Sequence, residues 1–249
     1  MHASTGHRNQ TAKPKNYFAT THWSVVLTAG RNDTARAHDA LEKLCQTYWF
    51  PLYAYIRRRG FNPHDAEDLT QGFFARLLKA NSLADACQEK GRFRSFLLGA
   101  MNHFMADEWD RATAAKRSVQ QTISLDALLA ENRYRHELAD MLTPDRVFER
   151  QWALTLLENA LGCVRREYEA SGQGRLFMEL RFAITGDQTA VPYPKLVARL
   201  GMSEGTIRVA VHRLRKRYRQ ALRAEIAGTV ADDAEVAAEL VHLRQALSQ

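Results

Sequence analysis

The chain has 249 residues, 45% of them hydrophobic, and carries a formal net charge of +7 at neutral pH. That apolar content is enough to bury a core, which excludes a disordered chain, and the positive balance favours an anionic partner. No apolar run reaches bilayer-spanning length and the first residues lack a signal-peptide core, so no membrane partner and a cytoplasmic location are expected.

In chain order, residues 1–16 are polar without an apolar period and are expected to be disordered. Phe18 to Leu27 carries Trp23, Val25 and Val26 and is expected to form a short helix packed on the next one. From Ala37 to Arg59, Leu41, Leu44, Tyr48, Leu52 and Ile56 recur at helical spacing, with Pro51 inside the run expected to kink it or start a new helix. Asn62-Pro63 reads as a cap and first-turn proline for the next helix, whose opening turns hold Asp65, Glu67 and Asp68. Those carboxylates suit the positive end of the helix dipole. They also form an acidic patch on an otherwise basic chain, fit to meet a basic protein.

Gly91 to Arg111 predicts a third helix, with Phe93, Phe96, Leu97, Met101 and Phe104 as its buried stripe. Basic residues interleave with aromatics there, which suits single-stranded nucleic acid: charge follows the backbone and rings stack on bases. For Trp109, core packing and base stacking stay equally open. Residues 118–143 lose periodicity, and the polar run from Glu131 to Glu137 reads as a linker. Helices come next from about Asp145 to Glu169 and from Gly174 to Thr185.

The most informative stretch is Tyr193 to Arg219. Leu196, Val197 and Leu200 share a face of a short helix, Gly201 supplies a left-handed turn, and Ser203 is an N-cap. In the second helix of this stretch, Ile207, Val211, Leu214, Tyr218 and Leu222 should face a core. Arg208, His212, Arg213, Arg215, Lys216, Arg217 and Arg219 are left outside. This is a helix-turn-helix pattern, whose second helix can enter a major groove with its later arginines near phosphates. The tail beyond Leu222 turns acidic; Val236, Leu240 and Leu243 keep helical spacing, which leaves folding back or partner binding equally open.

The expected fold is therefore all-α: two small helical domains, 37–117 and 144–223, joined by a linker at 118–143, the C-terminal one with a helix-turn-helix. A partly disordered extension, 1–36, precedes them and an acidic helical tail, 224–249, ends the chain. Cys45, Cys87 and Cys163 form no CxxC pair, and their odd count argues against a disulfide framework. They are expected to be small buried residues. Neither cofactor nor metal is expected, and none of the residues is expected to be catalytic.

Three stretches in this order resemble the bacterial RNA polymerase sigma factors, closest to the extracytoplasmic function type with its regions two and four. Asp65 to Leu78 is similar to the family's polymerase-binding helix, Gly91 to Arg111 to its promoter-melting and minus-10 helix, and Tyr193 to Arg219 to its minus-35 element. The resemblance implies that Asp65, Asp68, Gln71 and Phe74 meet core RNA polymerase. It places Arg94, His103, Asp107, Trp109, Arg111, Lys116 and Arg117 near minus-10 promoter DNA. It places Ser203, Glu204, Thr206, Arg208, His212, Arg213, Arg215 and Lys216 near the minus-35 duplex. An anti-sigma or other regulatory protein is a further partner the resemblance admits. The chain departs from the family in having His103 where an Asn is frequent and Arg208-Val209-Ala210 where a polar Lys-Ser-Arg is frequent. Two rival readings are a stand-alone helix-turn-helix regulator, which would dimerise on half-sites, and a nuclease using Asp65, Glu67 and Asp68 with a divalent metal.

Overall fold

The computed structural model describes residues 35–79, 93–114, 129–134, 142–185, 192–227, 230 and 233–248. The expected contacts of Phe18 to Leu27, and Cys87, Lys116 and Arg117, lie outside them. Every element among the described residues is an α-helix: α1 (Ala35–Arg58), α2 (Pro63–Lys79), α3 (Phe93–Ala114), α4 (Pro144–Ala170), α5 (Gly174–Leu180), α6 (Phe182–Thr185), α7 (Tyr193–Leu200), α8 (Glu204–Ala227) and α9 (Asp233–Leu247). Residues 129–134 add a further short helix. No described helix is long and apolar enough to cross a membrane.

Helix α1 continues through Pro51 rather than restarting there. The missing N–H removes one rung, a cost on the order of 3 kcal/mol. The complete burial of Tyr48, Leu52, Tyr53 and Ile56 around it offsets that loss. Gly60, at φ 97°, ends the run. The next helix starts on a reciprocal cap: Asn62 Oδ1 accepts the Asp65 N–H at 2.9 Å and Asn62 Nδ2 donates to Asp65 Oδ2 at 2.7 Å. Helices α2 and α3 approach closely at Gly72, where a Cβ would come within 3.2 Å of the Phe104 ring.

Arg57 and Arg58, in the last turn of α1, reach across to later segments. Arg57 grips Glu131 through Nε and Nη2 at 2.8 and 2.9 Å, and Tyr53 donates to the same carboxylate at 3.0 Å. Arg58 Nε donates to the Leu142 carbonyl at 2.7 Å. Residues 129–134 thus fold onto the first core with Ala130, Glu131 and Tyr134 buried. Glu131, which reads as part of a polar, solvated stretch, is satisfied by Arg57 and Tyr53 instead of water.

Two apolar cores result. The first gathers α1, α2 and α3 together with Phe148, Trp152 and Leu156 of α4, Ile226 of α8, and Val236 and Leu243 of α9. The second gathers Val164 and Tyr168 of α4, Phe177 and Leu180 of α5, Leu196 of α7, and Ile207, Val211 and Leu214 of α8. Helix α4 is therefore one continuous rod with its first half in one core and its last turns in the other. Along α8, Tyr218 and Leu222 are half-buried, and Ile226 has already crossed to the first core. The tail helix folds back rather than standing free. Cys45 and Cys163 are half-buried, not buried.

Candidate nucleic-acid interface

Three groups of residues matter: the exposed side of α2, the length of α3, and the pair α7–α8. On α2 the carboxylates of the opening turns have separate local roles. Asp65 completes the cap just described, while Asp68 lies exposed with His64 Nδ1 at 3.2 Å. Gln71 donates to Glu67 at 2.9 Å and stays at the surface. Phe74 does not join them. Its ring is buried, packed edge-on against Phe73 at 5.6 Å, so it supports the surface from beneath and a docking partner cannot touch it.

On α3, His103, Asp107 and Arg111 recur every four residues and form one stripe. Arg76 of α2 donates to Asp107 across the interhelical groove at 2.6 Å. That hydrogen bond, with Arg111 and His103 nearby, holds the Asp107 carboxyl below the ordinary carboxylate range. Arg111 in turn pairs with Glu108 at 2.5 Å. Asp68, Gly72 and Arg76 from α2 and Phe104, Glu108 and Arg111 from α3 line a single shallow groove. Glu67 is buried, so of the acidic patch only Asp65 and Asp68 stay exposed, and Asp68 shares this groove with Arg111 of the α3 stripe.

Trp109 sits about 200° around the helix from Asp107. It is 65% exposed, so of the two readings open for it the structure selects a ring presented to solvent. Arg94 goes the other way. At 3% exposure its guanidinium lies inside the molecule, 4.4 Å over the Trp152 ring, paired with Glu149 at 2.9 Å and with Glu239 of the tail helix. It cannot meet DNA in this arrangement, because a charge taken from water is held where its counter-charges are.

The α7–α8 pair is built as its residues suggest. Gly201 adopts φ 66° and donates its N–H to the Val197 carbonyl at 2.9 Å, closing α7. Ser203 Oγ accepts the Thr206 N–H at 3.2 Å and meets the Thr206 hydroxyl at 2.8 Å, opening α8. Ile207, Val211 and Leu214 then face inward. Outside, Arg208 pairs with Glu204 at 2.6 Å, which raises its pKa further, and lies 4.8 Å over the Tyr193 ring. Arg215 Nε donates to the Ala183 carbonyl at 3.0 Å. Arg217 is drawn to Glu167 at 3.7 Å and rests over Tyr168. His212, Arg213, Lys216 and Arg219 point to solvent. The result is a dense basic face on one helix, suited to a polyanion.

Three residues here escape a reading by spacing. Arg76 ties α2 to α3; its only trace in the sequence is a cation late on an acid-fronted helix. Glu239 pairs with Arg94, for which no local signal exists. Val209 is an exposed apolar side chain on the basic face of α8, visible in the sequence only as a missing hydrogen-bonding residue.

Compared with known proteins, residues 44–115 match the family model for sigma-70 region 2, which spans most of α1, all of α2 and α3, and the groove between them. No curated protein and no solved structure matches the chain.

Proposed function

We propose, since the chain belongs to the sigma-70 family through its region 2 at residues 44–115, that it is a transcription initiation factor of the extracytoplasmic function type with no catalysis of its own. The observation that carries this reading is the groove inside the matched segment. There the exposed Asp68 of α2 shares one groove with Arg111 of α3, so one surface can hold protein while its neighbour holds DNA. Asp65, Asp68 and Gln71 dock core RNA polymerase. His103, Asp107, Trp109 and Arg111, with Lys116 and Arg117 beyond the described helix, take the minus-10 strand. The exposed Trp109 ring offers a stacking platform for an unpaired base. Capturing bases only when they are unstacked favours the open duplex by differential affinity.

The helix pair α7–α8 acts as a helix-turn-helix on the minus-35 duplex. Ser203, Glu204 and Thr206 stand at its entry, with Arg208, His212, Arg213, Arg215 and Lys216 along it. If Arg213, Arg215, Lys216 and Arg219 each neutralise one phosphate, log affinity for duplex should fall with log salt at a slope of about −3.6. The Lys216→Ala variant should lower that slope by about 0.9. Anisotropy titrations of the full chain at several salt concentrations measure both values; a flat salt response contradicts the assignment.

The decisive test is transcription in vitro with core polymerase on a genomic fragment library, with start sites mapped. Initiation dependent on this chain, at sites sharing two spaced elements, is expected. Failure to start transcription on any fragment overturns the reading.

A further inference from the structure

Helix α8 presents an outward stripe that differs from the rest of its basic face. Gly205 and Val209 lie one turn apart on it, and Lys216 comes two turns later, with His212 and Arg213 flanking. Val209 is 49% exposed, outside both cores, an apolar β-branched side chain with Arg208 beside it and Arg213 one turn on. Gly205 is unexplained by packing: an added Cβ would meet nothing nearer than Ser203 Oγ at 4.0 Å. The fold does not need a glycine there, and glycine is the poorest helix former after proline.

The polar side chains of the first two turns are already engaged with each other. Ser203 and Thr206 share a hydrogen bond, and Glu204 holds Arg208 against Tyr193. What these turns offer outward is a gap at Gly205 and an isopropyl group at Val209, with cations behind them to hold the backbone. A base edge that matches is one presenting a methyl group, and in the major groove that is thymine.

On the reading of α8 as the helix presented to minus-35 DNA, we propose that Val209 is a specificity-determining residue. Its side chain packs against the C5-methyl of one thymine, and Gly205 lets the helix backbone approach the groove closely enough for that contact. The minus-35 element then carries a thymine whose recognition is apolar.

The test uses the full chain and a duplex selected by it from a randomised pool. Each thymine in the selected site is replaced in turn by deoxyuridine, which removes only the methyl, and affinity is read by anisotropy. One position is expected to lose affinity by about three- to tenfold, the scale of one buried methyl group. In Val209→Ala the thymine and deoxyuridine duplexes should bind equally at that position, with the salt slope unchanged. Gly205→Ala should raise the melting temperature and still weaken duplex binding severalfold. Deoxyuridine tolerated at every position, or discrimination that survives in Val209→Ala, overturns the inference while leaving salt-dependent duplex binding, and so the reading of α8, in place. If no duplex is selected and binding ignores salt, both fall together.

Discussion

Replacing Glu239 by alanine is expected to lower the unfolding free energy by about 3–5 kcal/mol, although the residue lies in a tail that looks dispensable in the sequence. Glu239 is 2% exposed and faces Arg94, itself 3% exposed. Its loss removes a buried carboxylate from the Arg94 guanidinium, which also faces Glu149, a third exposed, and the ring of Trp152. A cation–π contact contributes about 2 kcal/mol at most when desolvated, less than the several kcal/mol that a buried, under-compensated charge costs. The double variant Arg94→Met with Glu239→Leu removes both charges and should recover most or all of the loss. Urea unfolding of the two variants measures this difference. A Glu239→Ala protein within about 0.5 kcal/mol of the parent, the range of an ordinary surface change, would show that the pair is not buried as described.

Charge reversal at Asp68 has the largest expected functional effect. The side chain is 57% exposed and its partner is a neighbouring histidine on the same helix. A surface pair of this kind contributes about 0–1 kcal/mol, so Asp68→Lys should fold normally. Set against a basic docking partner, the new like charge should cost several kcal/mol, weakening core polymerase binding by about a hundredfold or more. Co-purification with core enzyme reads this directly, and duplex binding by α8 should be untouched. Normal retention on core polymerase would remove the acidic face of α2 from the docking surface.

Much of the architecture was readable from spacing alone. The Asn62 cap, the Gly201 turn, the Ser203 cap and the inward stripe Ile207, Val211 and Leu214 are local consequences of backbone geometry and a 3.6-residue period. What was not readable depends on partners distant in the chain. Arg94 stands between Phe93 and Ser95 on α3, and nothing nearby says that Glu149 and Glu239 face it. Phe74 is next to Phe73, and two adjacent helical residues are only about 100° apart, so both can face inward. The seam Trp152, Leu156, Ala160, Val164 and Tyr168 reads as one stripe on one core, because periodicity records which side of a helix is buried and not what covers it.

Helix α4 has a consequence for assembly. Phe148, Trp152 and Leu156 anchor its first half among α1–α3, while Val164 and Tyr168 carry the α7–α8 pair. Any complex that draws the α1–α3 unit and the α7–α8 pair apart must first undock those three side chains. Uncovering them costs on the order of 5–9 kcal/mol at about 1.5–3 kcal/mol each. Polymerase and promoter together would have to prefer the spread form by at least that margin, and measured affinity for either ligand alone would be reduced by the scarcity of that form. Initiation would then depend on cooperation between the two ligands, each making the other's binding conformation more common.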